Sequence, residues 1–279
     1  MKPFFAALFF SAVVSASFAT AATAIAPSTT SDAVNHQARI EGHGPRTVVL
    51  ESGLGDTLEV WKDIQPRIAD HCARTLAYTR AGYLGSDPAN DGPRDSATVV
   101  AELRAELAKR NIPPPYVLVG HSLGGLYMQY FARNFPGEVA GLVLVDSTHW
   151  NQHMDVDSNA NTAYTGGHEV TLFMPWIMRR EFKDSGSAGE QVHESPAAAA
   201  FMPTIVLSST VAPRMTPVSR DDEARMQDDI AADFPGSEHL RVDGAGHYIQ
   251  RDRPEVVIAA VRRLAGCAPL SASVSPSGR

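Results

Sequence analysis

The segment order of this 279-residue chain predicts an α/β fold, a mostly parallel central sheet flanked by helices. Three observations carry that prediction. Short apolar runs alternate with longer segments of helical character, the arrangement of a sheet covered on both faces. Several of the short runs, such as Tyr116-Val117-Leu118-Val119 and Leu142-Val143-Leu144-Val145, are apolar throughout instead of alternating. That pattern belongs to parallel strands buried on both sides. The composition, 44% hydrophobic and 20% charged, is that of a globular chain long enough to bury a large core.

Taken in order, strands are expected at 47–52, 74–79, 116–121, 141–146, 204–209 and 238–242. Helices are expected at 57–70, 96–110, 123–134, 221–233 and 254–265. The last has Pro254 at a favourable first-turn position and Gly266 as its stop. One interval breaks the rhythm. From 147 to 202 the sequence mixes Asn, Gly, Ser and an alanine run with the apolar stretch Leu172-Phe173-Met174-Pro175-Trp176-Ile177-Met178. An excursion this long, inserted before the penultimate strand, reads as a small lid. The folded domain is expected over 36–266, and the Ser- and Pro-containing end, 267–279, reads as a flexible tail.

The N-terminus reads as a secretory signal peptide over residues 1–21. Met1-Lys2 gives a positive start and residues 3–14 are almost wholly apolar. Ala19-Thr20-Ala21 and Ala22-Thr23-Ala24 offer cleavage after 21 or 24. The apolar run is shorter than the roughly 20 residues a membrane span needs, so no membrane anchor is expected. Export would place the chain in the periplasm or outside the cell, where Cys72 and Cys267 are permitted to pair; two isolated buried thiols are the other reading. A formal charge of −7 argues against nucleic acid as a partner.

The chemistry concentrates at Gly120-His121-Ser122-Leu123-Gly124, lying between an apolar run and a helical one. A G-x-S-x-G sequence at a strand-to-helix junction is a nucleophile elbow: small residues let strand and helix approach while the serine is lifted above the sheet edge. A plain Gly/Ser turn is the bland alternative. Serine needs a base, and ten histidines compete for the role. His247, in Asp243-Gly244-Ala245-Gly246-His247-Tyr248 after the last strand, is the candidate, because its glycines let an imidazole reach the nucleophile. His121 is expected to pack beside Ser122. His149 and His153 have i, i+4 spacing but lack the glutamate of a zinc-protease motif and any clustered ligand. They read as lid or pocket residues, and no metal is expected.

These motifs together resemble the α/β-hydrolase fold family. Arg80-Ala81-Gly82-Tyr83-Leu84-Gly85-Ser86-Asp87 is similar to its R-A-G-Y-G-x-S-D segment, and Glu51-Ser52-Gly53-Leu54-Gly55 resembles its oxyanion loop. Gly246-His247-Tyr248-Ile249-Gln250, continuing through Asp252-Arg253-Pro254-Glu255, resembles its histidine loop and terminal helix. The motifs stand in family order from about residue 40 to 265, apart from the lid. The resemblance implies an α/β-hydrolase fold and a Ser122–His247 pair. By the same resemblance, an oxyanion hole is expected from the backbone N–H groups of Leu54 and of Leu123, the residue after the nucleophile. The triad acid departs from one common pattern: the stretch after 204–209 carries no carboxylate, which moves the role to Asp146, with a structural aspartate as the rival reading. The resembled fold also brings the helix before Cys72 and the helix before Cys267 to one face of the sheet.

The activity this implies is hydrolysis of a small carboxylic ester with an apolar part, through an acyl-enzyme and without a cofactor. A serine peptidase or amidase, a perhydrolase, and a non-catalytic binding protein on the same scaffold are the alternatives. The 172–178 segment suggests an apolar acyl or alcohol pocket, or equally the packing of the lid on the body.

Overall fold

Every strand of the sheet centre buries both its faces, which explains the unbroken apolar runs. In β2 (Arg46–Glu51), Val49 faces one core while Val48 and Leu50 face the other. The same alternation divides β4 (Tyr116–His121), with Leu118 on one side and Val117 and Val119 on the opposite one. This computed structural model describes residues 34–152, 174–199, 202–211 and 219–268. The expected signal peptide, His153, Leu172 and Phe173, and the tail from 269 lie outside the described residues.

The remaining strands are β1 (Ala38–Glu41), β3 (Ala73–Tyr78), β5 (Val139–Val145), β6 (Thr204–Ser209) and β7 (Glu238–Val242). Together the described strands make a seven-stranded sheet in the order β1-β3-β2-β4-β5-β6-β7. All neighbours pair in parallel except β1, which runs antiparallel to β3. The helices are α1 (Gln65–Ile68), α2 (Ser96–Lys109), α3 (Leu123–Asn134), α4 (Trp176–His193), α5 (Arg220–Ala232), α6 (Ile249–Asp252) and α7 (Pro254–Leu264). Residues of α2, α3, α4 and α5 complete one core; residues of α1 and α7 complete the other.

Several expectations need correction. The helix expected over 57–70 is two short pieces, a 3-10 turn at Leu58–Trp61 and the single turn α1. Thr57 caps the first piece through its side chain. Pro66 lacks the N–H a continuous helix would need there. Strand β1 was not expected, because Ala-Arg-Ile-Glu is too short and too polar to announce an edge strand. The 147–202 interval contains a regular helix of 18 residues, α4, packed against α2 and α3. A further short helix, α6, begins two residues after His247, with Tyr248 at its N-cap. The other boundaries shift by one or two residues.

Helices α1 and α7 are in contact, and the segments leaving them are joined by the disulfide Cys72–Cys267, with Cα atoms 5.7 Å apart. Beside it, Arg262 donates to Asp70 Oδ2 at 2.6 Å, and Asp70 Oδ1 accepts the N–H of Cys72 at 2.7 Å. These bonds hold the Asp70 carboxyl below its usual range, the Arg262 hydrogen bond first among them.

Candidate active site

The ends of β4 and β5 set the site. Ser122 follows β4 and caps α3 with φ 53° and ψ −125°, a left-handed backbone that a non-glycine residue adopts only under constraint. The constraint comes from both sides. Ser122 N–H donates to Val145 O at 3.2 Å, and Ser122 O accepts from Gly125 N at 2.8 Å and Thr148 N at 3.0 Å. The elbow also requires glycine at two positions. A Cβ on Gly120 would lie 2.6 Å from Gly124 O, and one on Gly124 would lie 2.4 Å from Ser52 O.

Asp146 leaves β5 in the same manner, with φ 44°. Its Oδ1 accepts the N–H of Ser209 and its Oδ2 sits 2.8 Å from His247 Nδ1. His247 is held from its other side too, since His121 Nε2 lies 3.0 Å from His247 O. The two imidazole centroids are 4.7 Å apart. Burial, and then the charge available at His247, keep the His121 pKa well below the ordinary imidazole range. A neutral His121 can therefore donate Nε2–H to that carbonyl and steady the loop bearing His247. Among the described residues no hydrogen bond joins the Ser122 hydroxyl to His247; such contacts often tighten only when substrate binds.

Two backbone donors lie close to the elbow. Leu123 N–H is the first of α3, one of the groups a helix leaves without an internal acceptor. Leu54 N–H lies in the loop after β2, where Gly53 packs so tightly that a Cβ there would be 3.2 Å from Ser122 Cβ. Among the described residues neither N–H donates to another protein group. The N-terminal end of α3 adds its partial positive charge at the same place.

Sequence reasoning missed a buried ionic network beneath this loop. Arg80, Glu51 and Glu181 are all at most 2% exposed. Arg80 donates to Glu51 Oε1 at 2.6 Å and, through Nε and Nη2, to both Glu181 oxygens at 2.8 and 2.7 Å. Tyr78 donates to Glu51 on its other side; burial pushes the Glu51 carboxyl up. An arginine directly after an apolar strand could have signalled such a partner. Glu181, in a mixed polar stretch, gave no such signal.

The expected apolar pocket segment divides between two roles. Ile177 packs into a small cluster with Ala81 and Tyr83, while Met178 reaches the position a Cβ of Gly55 would occupy, at 3.1 Å. Trp176 is half-exposed. His149 is buried and stacks near Trp150, which in turn stacks on His193 with centroids 3.9 Å apart.

The strand order, the elbow and the histidine loop together define a hydrolase scaffold of the α/β type. The family model described as the alpha/beta hydrolase family matches residues 48–260, and the chain belongs to that family. It is similar to a pimeloyl-[acyl-carrier protein] methyl ester esterase of Sodalis glossinidius, 37% identical over 111 residues, which are 38% of each chain. It is also similar to an uncharacterized protein of Bacillus subtilis, 32% identical over 38% of this chain and 33% of that one. Against the curated relatives it first matches, the chain spans only 15% to 43% of their length. A thermophilic esterase from Thermogutta terrifontis shares the fold with a TM-score of 0.58 at 19% identity, over 82% of this chain and 92% of that one. The protein is thus an α/β hydrolase with esterase-like relatives. No described helix is long and apolar enough to cross a membrane.

Proposed function

We propose that this chain is an exported serine hydrolase that cleaves small carboxylic esters bearing an apolar part. The observation that carries the reading is the Asp146–His247 pair, 2.8 Å apart, beside a serine on a strained elbow. An Nδ1–H donated to Asp146 leaves the Nε2 lone pair for the Ser122 proton. Ser122 Oγ then bonds to the ester carbon, and the carbonyl electron pair moves to oxygen between the N–H groups of Leu54 and Leu123. Collapse re-forms the carbonyl, breaks the bond to the alkoxy oxygen and passes the proton from His247 to the leaving alcohol. Water, deprotonated by His247, repeats the addition on the acyl-enzyme; collapse releases the acid and restores Ser122. Met178, whose side chain would lie 3.1 Å from a Cβ on Gly55 in the loop carrying Leu54, supports an apolar acyl or alcohol group.

The test is turnover of a p-nitrophenyl ester series together with fluorophosphonate labelling. Wild type should show both, and Ser122→Ala should lose both while keeping its fold. Hydrolysis at near wild-type rate by Ser122→Ala would remove this mechanism. The signal-peptide part is read separately: N-terminal sequencing of the mature protein from the exporting host should begin at residue 22 or 25.

A further inference from the structure

The loop that bears Leu54 is gripped at three backbone points by groups that all converge on one residue of α4. Arg80 Nη1 donates to Ser52 O at 2.6 Å and Nη2 to Gly53 O at 2.9 Å. Tyr83 Oη accepts the N–H of Gly55 at 3.1 Å. Glu181 then holds both gripping side chains: its carboxylate takes the Arg80 fork on two oxygens, and Oε2 accepts the Tyr83 hydroxyl at 2.7 Å.

We propose that Arg80 is a positioning residue for the oxyanion hole, and that Glu181 couples the seating of α4 to the loop carrying Leu54. This rests on the esterase reading above. The argument is geometric. Gly53 C=O and Leu54 N–H belong to one planar trans peptide, in which the two bonds point in opposite directions. A guanidinium fixed on Gly53 O, which also accepts the N–H of Asp56 at 3.3 Å, therefore turns Leu54 N–H away from Arg80; a Cβ on Gly53 would stand 3.2 Å from Ser122 Cβ, so this peptide lies beside the nucleophile. A donor in such a hole acts in proportion to its aim, since no reorganisation is left for the moment of reaction.

The alternative, that Arg80 lends its positive charge to the oxyanion, is weaker. Two carboxylates already pair with the guanidinium at 2.6 to 2.8 Å, so little net field remains. The fork geometry is what only arginine supplies. A lysine would keep the charge but could not span Ser52 O, Gly53 O and Glu181 together.

Arg80→Lys is the test, with Glu181→Gln as a second variant that keeps side-chain shape and the Arg80–Glu51 pair. In Arg80→Lys, kcat for a p-nitrophenyl ester should fall about tenfold or more with KM within about threefold. The inhibition constant of a trifluoromethyl ketone, whose Ser122 hemiketal places an oxyanion in the hole, should rise by the same factor as kcat/KM falls. Glu181→Gln should move both quantities the same way by a smaller, several-fold amount. Leu107→Ala, in the core of α2, controls for lost stability: its thermal midpoint should drop while kcat stays near wild type.

A folded Arg80→Lys with wild-type kcat and unchanged ketone inhibition overturns the positioning role, as does a fall in kcat without a matching change in ketone affinity. If Arg80→Lys does not fold, Glu181→Gln decides by the same criterion. The Ser122→Ala control keeps the failures apart. An active Ser122→Ala sinks the esterase reading, whereas an inert Ser122→Ala beside an unimpaired Arg80→Lys sinks only the clamp.

Discussion

Asp146 holds His247 with one carboxylate oxygen and is itself held by the sheet with the other. Oδ2 lies 2.8 Å from His247 Nδ1, and Oδ1 accepts the Ser209 N–H at 2.8 Å, at the end of the neighbouring strand β6. Asp146 itself takes a left-handed φ of 44° as the chain leaves β5. An aspartate so anchored can fix an imidazole without being free to rotate.

Asp146→Asn should therefore leave the fold in place and lower kcat by about two to four orders of magnitude. The amide can keep the Ser209 bond but no longer favours the His247 tautomer that accepts from serine. Steady-state kinetics with the thermal midpoint measured in parallel checks this, and a variant with wild-type kcat would redirect the search to another carboxylate.

Gly124→Ala sets two effects against each other. Alanine should favour α3 by about 1 kcal/mol through helix propensity. A Cβ at that position meets Ser52 O at 2.4 Å and Glu51 O at 2.8 Å, both backbone atoms that cannot swing away. Steric contact should win. The variant is expected to be less stable and, because the displaced backbone leads into Gly53 and Leu54, slower in kcat. Thermal denaturation and ester kinetics on the purified variant test both; a stabilised, fully active Gly124→Ala would show that the loop yields freely.

What was legible in the sequence was local. The sheet centre showed as unbroken apolar runs, and the elbow at Ser122 and the loop at His247 showed through glycines whose spacing has a steric cause. Asp146 was reached from a missing rival after β6, and its left-handed turn could not be read from Val145-Asp146-Ser147. Helix α4 was hidden because its core contacts are few and spread along its length. Of its 18 residues only Ile177, Glu181, Phe182, Ser185, Ala188, Gly189 and Val192 are buried, and three of those are charged, polar or glycine. The Arg80–Glu181 pairing joins residues 101 apart, a separation no local pattern announces. Pro66 was visible and should have divided the helix expected over 57–70.

The disulfide closes a sequence separation of 195 residues. A chain-entropy model gives about 5 kcal/mol for a loop of that size, an upper figure because denatured chains keep some compactness. The double variant Cys72→Ala with Cys267→Ala should lose stability on that order, and reductant should leave the variant unaffected while destabilising the wild type. Urea denaturation with and without reductant checks it. Equal stability of the two proteins under oxidising conditions would mean the bond contributes nothing.

Stability should decline as pH falls below about 6.5, and His121 should carry part of the slope. Its folded pKa is well below the usual value, from burial first and then from the charge at His247 and Arg251. The unfolded chain titrates near 6.5. As pH drops through 6.5 the unfolded imidazole takes up a proton that the folded one refuses, so acid favours unfolding. The stability is complete above 6.5 and shrinks on the way down toward the folded pKa. Each such differential proton is worth about 1.4 kcal/mol per pH unit. His36, also buried with a lowered pKa despite the nearby Glu106, adds in the same direction. The buried Glu51 and the half-buried Asp56, whose carboxyls desolvation raises, work in the opposite direction as pH rises above their ordinary values. A comparison within one pH series removes those terms. Unfolding free energies from urea at several pH values between 7.5 and 5.5 should show a steeper acid slope for wild type than for His121→Gln, by up to one proton. Parallel slopes for the two proteins would mean that His121 protonates as readily folded as unfolded.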